Sequence, residues 1–169
     1  KNMLEIAYDM GFTTLAPTTE NMRRLGLSVT LGGGEVRLID MVSAYSAFSN
    51  GGTRVEPVSI LEVKDQNGKT LFEHKPTTGK RVLSEEVAFL VNSVLSDNNA
   101  RLLTFGPNSL INIAGHTIAV KTGTTNDQRD NWTVGLTNGT VVVGVWVGNN
   151  DNTAIQKVAS GVSGASPIW

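Results

Sequence analysis

The run Lys121-Thr122-Gly123-Thr124-Thr125 carries the clearest chemical potential in this sequence. A lysine ammonium and neighbouring hydroxyls beside a strand edge can hold a carboxylate. Gly123 removes the side chain that would block an acyl group lying along the backbone. The amide that follows, on Thr124, can stabilise an oxyanion. An exposed edge there also lets a peptide add as an extra strand. A bare Lys-Thr-Gly is equally what a strand running into a polar turn looks like, so its surroundings decide.

Other candidate chemistries are thinner. His74 and His116 have no partner at ligand spacing, so neither a metal site nor any other cofactor is expected. Cysteine is absent, which excludes disulfides and thiolate nucleophiles. Gly32-Gly33-Gly34 lacks the Lys-Ser/Thr of a phosphate loop and reads as a turn between helices. No Gly-x-Ser-x-Gly elbow occurs. Asn131-Trp132-Thr133 and Asn138-Gly139-Thr140 match glycosylation acceptors but fall in expected strands. Arg129 and Asp130 read as a solvated pair.

The elements that must hold Lys121 follow from periodicity. Asn2 to Met10 reads as a helix stopped by Gly11. Thr18 or Thr19 can cap a second, Glu20 to Leu25, ended by Gly26. Leu38, Met41, Val42, Tyr45 and Phe48 recur at three- and four-residue steps, with Ala44 and Ala47 permitting close approach, and Asn50-Gly51-Gly52 ends that helix. Val58 to Val63 and Lys69 to Glu73 form a hairpin about the turn Asp65 to Gly68. Ser84 opens a helix that ends near Asp97-Asn98-Asn99, and Arg101 to Gly115 reads as irregular. The last third is strand-rich: Thr117 to Thr122, then Trp132 to Thr137 and Thr140 to Val147 joined by Asn138-Gly139. Asn149 to Asn152 is a polar turn, and Ser160 to Ser166 is small and flexible. Helices and strands are segregated rather than alternating, which predicts an α+β fold with an antiparallel sheet flanked by helices.

Composition bounds the rest. The chain has 169 residues, 40% hydrophobic and 17% charged, enough for one ordinary domain and against disorder. The net charge is −1 with no basic block, so nucleic acid and membrane surfaces are not expected partners. The longest apolar stretch, Val141 to Val147, falls far short of the ~18 residues of a membrane helix. The chain opens at Lys1 within an expected helix and closes at Trp169 just after Pro167. We therefore expect a piece of a longer protein.

Context sharpens the Lys121 run. It is followed by Asp130-Asn131-Trp132 and a Val-rich hairpin ending Gly144-Val-Trp-Val-Gly-Asn149. Upstream lie Leu31-Gly-Gly-Gly-Glu-Val36, Met41, Ala44-Tyr45, Ala47-Phe48 and Asn50-Gly-Gly52; Ser160 to Trp169 closes the series. These strings, in this order and through nearly the whole chain, resemble the transpeptidase domain of class A (bifunctional) penicillin-binding proteins. The resemblance implies a serine acyltransferase that cross-links peptidoglycan stem peptides and is trapped by β-lactams. It implies a five-stranded antiparallel sheet with helices on both faces. It places the parent protein in the bacterial cytoplasmic membrane, with this part on the extracytoplasmic side and not itself touching the membrane. Three motifs line the family's cleft: Ser-x-x-Lys with the nucleophile, Ser-x-Asn, and Lys-Thr-Gly.

Carried over residue by residue, Lys121 shapes the cleft's electrostatics and meets the serine of the second motif. Thr122 and Thr124 contact a substrate or drug carboxylate, Gly123 leaves room for the acyl chain, and the Thr124 amide is half of the oxyanion hole. Thr125 is a further cleft-wall candidate. Trp132 stands where the family has an aromatic after an acidic residue; core packing under the sheet is the reading its residue type favours, and substrate contact is the alternative.

The sequence also departs from the pattern. No serine is followed by lysine three residues on, and Thr77-Thr78-Gly79-Lys80 matches only with threonine in an expected loop. Ser96-Asp97-Asn98 spells the second motif but sits at a helix end, where capping explains it. The expectation is that residues 1–169 are the C-terminal portion of one transpeptidase domain. The nucleophile-bearing portion would lie N-terminal to Lys1, possibly as a separate chain. Alone, this portion is expected to be inert and to leave a sheet edge and apolar helix faces uncovered. A serine β-lactamase or carboxypeptidase, or a non-catalytic cell-surface binding module of the same fold, are the alternatives.

Overall fold

The computed structural model describes residues 2–155 and 163–169. The expected helical start at Lys1 and residues 160–162 of the expected small flexible segment lie outside them.

The first third is helical. Helix α1 (Asn2–Met10) and α2 (Thr19–Leu25) flank a 3-10 turn, Thr13–Leu15. Thr18 is the α2 cap, its hydroxyl accepting from the Asn21 amide at 3.1 Å. Leu4, Leu15 and Leu25 are buried together and form a small apolar cluster with Ala7, Phe12, Val29 and Val36 around them. A second 3-10 stretch, Gly26–Leu31, ends in left-handed Gly32, so the triple glycine does serve as a turn into the next helix.

That helix, α3 (Leu38–Ser49), is the platform of the fold. Its first turn is anchored by Asp40, which is buried and accepts from Thr13 Oγ1 (2.8 Å) and from Arg37 at both oxygens (2.7 and 3.1 Å). Burial alone pushes the Asp40 carboxyl upward; hydrogen bonds from Arg37 and Thr13 outweigh it and leave it below the usual carboxylate value. Ala44 and Ala47 are completely buried, as the small-residue spacing predicted.

Two minor sheets follow. Strands β1 (Thr53–Arg54) and β4 (Lys80–Arg81) pair antiparallel, and neither was expected. They are only two residues long, too short to leave a periodic pattern. Between them β2 (Glu62–Lys64) and β3 (Thr70–Glu73) form the expected hairpin, shorter than Val58 to Val63 and Lys69 to Glu73, with an irregularity between Val63 and Lys64. Its turn is held by Asp65 Oδ1, which accepts from the Asn67 and Lys69 amides at 2.8 and 3.0 Å.

Helix α4 (Glu85–Ser96) is capped by Ser84. The stretch expected to be irregular from Arg101 instead continues helix α5 (Asn98–Phe105). Its cause is one side chain. Asp97 ends α4 and caps α5, accepting from the Asn99 and Ala100 amides at 2.9 and 3.1 Å. The remainder, residues 106–118, is turn and coil.

The principal sheet has the order β5-β6-β7, all antiparallel: β5 (Ala119–Thr124), β6 (Asp130–Leu136) and β7 (Val142–Gly148). The strands are shifted from those read in the sequence. β5 begins later and runs through Thr124. The last two close on Thr137 and Val141, so the connection is a three-residue turn around left-handed Gly139 rather than a bare Asn-Gly pair. A side chain explains it: Ser49 Oγ, at the end of α3, donates to Thr137 O (2.7 Å) and accepts from the Gly139 amide (2.9 Å).

One face of this sheet is covered by α3, which lies on β6 and β7, and by α4, which lies beside β5. Gly144 allows this, since a Cβ there would sit 2.5 Å from Val42 Cγ2. The other face carries the turn of residues 163–169. Trp169 packs against Gly135, where a Cβ would fall 2.1 Å from its ring, and Thr133 Oγ1 bonds Ser166 Oγ at 2.9 Å. The architecture is therefore α+β with an antiparallel sheet, as the element order predicted; of the five strands and two helical layers that the resemblance implies, the described residues supply three strands, the helices of one face and a turn on the other.

Candidate functional site

Strand β5 lies at one edge of its sheet, and the candidate residues run along it. Alternation sends Lys121 and Gly123 to the face shared with Trp132 and Val134, and Thr122 and Thr124 to the face shared with Thr133 and Asn131. Ala119 and Val120 are buried at the start of the strand; Lys121 and Thr124 are exposed.

Backbone direction matters as much as side chains here. The Thr125 amide donates to Asp130 O at 3.1 Å, and the two are opposite each other in the register. In an antiparallel ladder, hydrogen-bonded and open pairs alternate. Gly123 and Lys121 therefore spend their backbone groups on β6. The N–H and C=O of Thr122 and Thr124 point to the open edge. The Lys121 ammonium reaches across this edge and donates to Thr122 O, which confirms that the carbonyl faces outward. The strand thus brings the Lys121 ammonium and the Thr124 amide to its open edge, with the Thr122 and Thr124 side chains on the face opposite that of Lys121.

The turn after the strand is braced. Thr125 Oγ1 accepts from the Arg129 and Asp130 amides, both at 2.9 Å, so this hydroxyl is engaged in the turn. Gln128 adopts a left-handed φ of 52°, Gln128 O accepts from the Ile155 amide at 2.9 Å, and Arg129 donates to Asn152 O at 2.8 Å. Asp130 accepts from Trp146 Nε1 at 2.9 Å, whereas Arg129 pairs with Asp127 at 3.5 Å, so the expected pairing of Arg129 with Asp130 is replaced by these two contacts. Trp132 is half-buried, opposite Gly123 on one side and Trp146 on the other.

Asn131 enters the sequence reading only as a glycosylation match in an expected strand. It is wholly buried, opposite Thr124, and donates through Nδ2 to Thr124 Oγ1 at 3.2 Å while accepting from the Ala165 amide at 2.7 Å. The signal that was available is an amide side chain two residues before Thr133, on the same face of the strand.

The rejected motifs have structural employment. Ser96 Oγ donates to Ser93 O inside α4, Asp97 caps α5, and Asn98 bonds Asn112 and Arg101. Lys80 pairs in β4 with Arg54 and forms an ion pair with Asp9. Among the described residues no group of three His, Asp or Glu could hold a metal ion, and no helix is long and apolar enough to cross a membrane.

Residues 16–165 match the family model described as the penicillin-binding protein transpeptidase domain. Penicillin-binding protein 2D of Bacillus subtilis is 37% identical over 147 residues, 84% of this chain and 20% of that protein. Penicillin-binding protein 1A of Aquifex aeolicus is 31% identical over 99% of this chain and 21% of its own length. The chain thus spans about a fifth of these curated relatives. Among solved structures, the penicillin-binding protein PonA1 of Mycobacterium tuberculosis matches with a TM-score of 0.76 and 26% identity, over 96% of this chain and 45% of that one. The same protein in complex with penicillin V matches with a TM-score of 0.71 and 27% identity, over 93% of this chain and 43% of that one.

Proposed function

Because this chain belongs to the penicillin-binding protein transpeptidase family, we propose that it is the Lys-Thr-Gly wall of a penicillin-sensitive D,D-transpeptidase and acts in cross-linking peptidoglycan. The observation that carries the proposal is the open edge of β5, to which the Thr124 amide and the Lys121 ammonium are brought, with the Thr122 and Thr124 side chains on the face opposite that of Lys121.

The chemistry is acyl transfer. A serine hydroxyl attacks the carbonyl of a D-Ala-D-Ala stem peptide, its proton passes to a base, and the tetrahedral oxyanion forms. The Thr124 amide donates to that oxyanion; the nucleophile's own amide supplies the second donor. The intermediate collapses as the base returns its proton to the leaving nitrogen, releasing the terminal D-alanine and leaving an ester on the serine. An acceptor amine then attacks the ester, forms the new amide and frees the serine. Lys121, Thr122 and Thr124 hold the terminal carboxylate until it departs with the D-alanine, a charge-assisted contact of the stronger kind. A β-lactam presents a carboxylate and a strained amide to the same groups and halts at the ester. Thr125 shapes the cleft wall through the turn it braces, and Trp132 backs Gly123.

The serine and its lysine are not among these residues, since Ser-x-x-Lys does not occur. We assign them to a preceding portion of the same domain, on the extracytoplasmic face of the cytoplasmic membrane. Two features support this. The chain covers only about a fifth of its relatives. Large apolar side chains also stand open, including Phe89 on α4 at 69% and Leu103 on α5 at 101%. The chain alone is then inert.

Intact mass before and after incubation with a fluorescent penicillin tests this. Residues 1–169 alone should stay unlabelled, and the same residues joined to their preceding serine-bearing portion should gain one penicilloyl adduct there. Label on residues 1–169 would refute the assignment of the nucleophile. An unlabelled joined protein would refute the transpeptidase reading.

A further inference from the structure

We propose that Asn131 is a positioning residue that presets the Thr124 hydroxyl as a donor toward the carboxylate of a bound ligand; this rests on the reading of β5 as the ligand wall. The amide side chain of Asn131 has a donor end and an acceptor end. Its orientation is decided by a neighbour that can only donate, the Ala165 backbone amide, 2.7 Å from Oδ1. Nδ2 is thereby turned to β5, where it donates to Thr124 Oγ1 at 3.2 Å.

A threonine hydroxyl has one proton and two lone pairs. With Asn131 giving a hydrogen bond to one lone pair, the Thr124 proton is left for another acceptor. A carboxylate can only accept, so the hydroxyl serves it only in that state. Asn131 is completely buried, and Thr124 is exposed at the strand edge. The orienting partner is therefore held by the fold, and the oriented group faces the ligand. Such a hydroxyl need not reorganise when the anion arrives. The turn of residues 163–169, on the far face of the sheet from α3, is thus part of the ligand site by way of one amide.

The test uses the full protein that carries these residues with its serine motif. The measured quantity is the ratio of second-order acylation rate constants for a penicillin free acid and its methyl ester. Thr124→Val should lower this ratio about tenfold, the loss of one hydrogen bond to a charged group. Asn131→Ala should lower it by a comparable factor, and the double variant should fall no further than Thr124→Val. Asn131→Asp is nearly isosteric and keeps an acceptor for Ala165, but its carboxylate captures the Thr124 proton, so the ratio should again fall. Equal slowing of acid and ester in both Asn131 variants, with the ratio unchanged, would mean structural support only and would overturn the inference. A wild-type protein that is not acylated, or a Thr124→Val ratio equal to wild type, would instead overturn the reading of the site and the inference with it.

Discussion

Gly123→Ala separates what the fold needs from what the ligand needs. The φ of Gly123 does not fall in the left-handed region, and a Cβ built there meets only Trp132 Cβ, at 3.7 Å. That is ordinary contact, so the alanine fits without displacement. Replacing glycine at a permitted position narrows the unfolded ensemble and typically adds about 0.4–1 kcal/mol of stability. For a domain of this size or somewhat larger, that is a rise of roughly 1–4 °C in melting temperature. A ligand chain laid along β5 meets the same methyl as overpacking, which costs about 1–3 kcal/mol in a close-fitting site. Converted at 1.4 kcal/mol per tenfold, acylation should slow roughly five- to a hundredfold. Thermal melts and second-order acylation by a fluorescent penicillin, on the protein with its serine motif present, read both quantities. Acylation at the wild-type rate would refute the claim that the acyl chain passes over Gly123. A melting temperature several degrees lower would refute the claim that the fold has no use for the glycine.

Gly135→Ala should destabilise by about 1–3 kcal/mol, because its Cβ would fall inside the Trp169 ring; in a Trp169→Ala background the same change should cost little, and denaturant midpoints of the four proteins check this. Asp40 should stabilise the fold above the ordinary carboxylate range and lose that contribution as pH falls below about 4, because its folded value is held below the unfolded one. Asp40→Asn should therefore flatten the loss of stability between pH 7 and pH 3 measured by urea unfolding. Asp97→Ala removes the α5 cap at the joint with α4 and should cost about 0.5–2 kcal/mol, with Asp97→Asn recovering most of it.

The parts of the fold that could be read in advance are those whose signal is local. The spacing of Leu38, Val42, Tyr45 and Phe48 placed α3, Ser84 placed the start of α4, and the glycine and asparagine runs placed the turns. What escaped depends on partners distant in sequence. β1 and β4 exist because two short segments meet, and the three-residue turn exists because Ser49 bonds it from 88 residues away. Helix α5 escaped because its eight residues are too few to show a clear period and Asp97, which ends α4, also begins it. At the candidate site, Lys121 to Thr124 stand out in the sequence because their chemistry is concentrated in consecutive residues. Asn131 does not, since its role needs Ala165 and Thr124, which only the folded sheet brings to it.

Register is a whole-number property, and Ser49 guards it. A slip of one residue between β6 and β7 would exchange the faces of β7 and bring a valine where Gly144 now meets Val42. No intermediate alignment exists, so harm to the turn does not blur the site in every molecule. It sorts the molecules into two classes, aligned and misaligned. Made in the protein that carries its serine motif, Ser49→Ala should accordingly show fewer titratable acylation sites per mole, each reacting at an unaltered rate. An assay that reports only total activity would mistake this change in head-count for a change in chemistry.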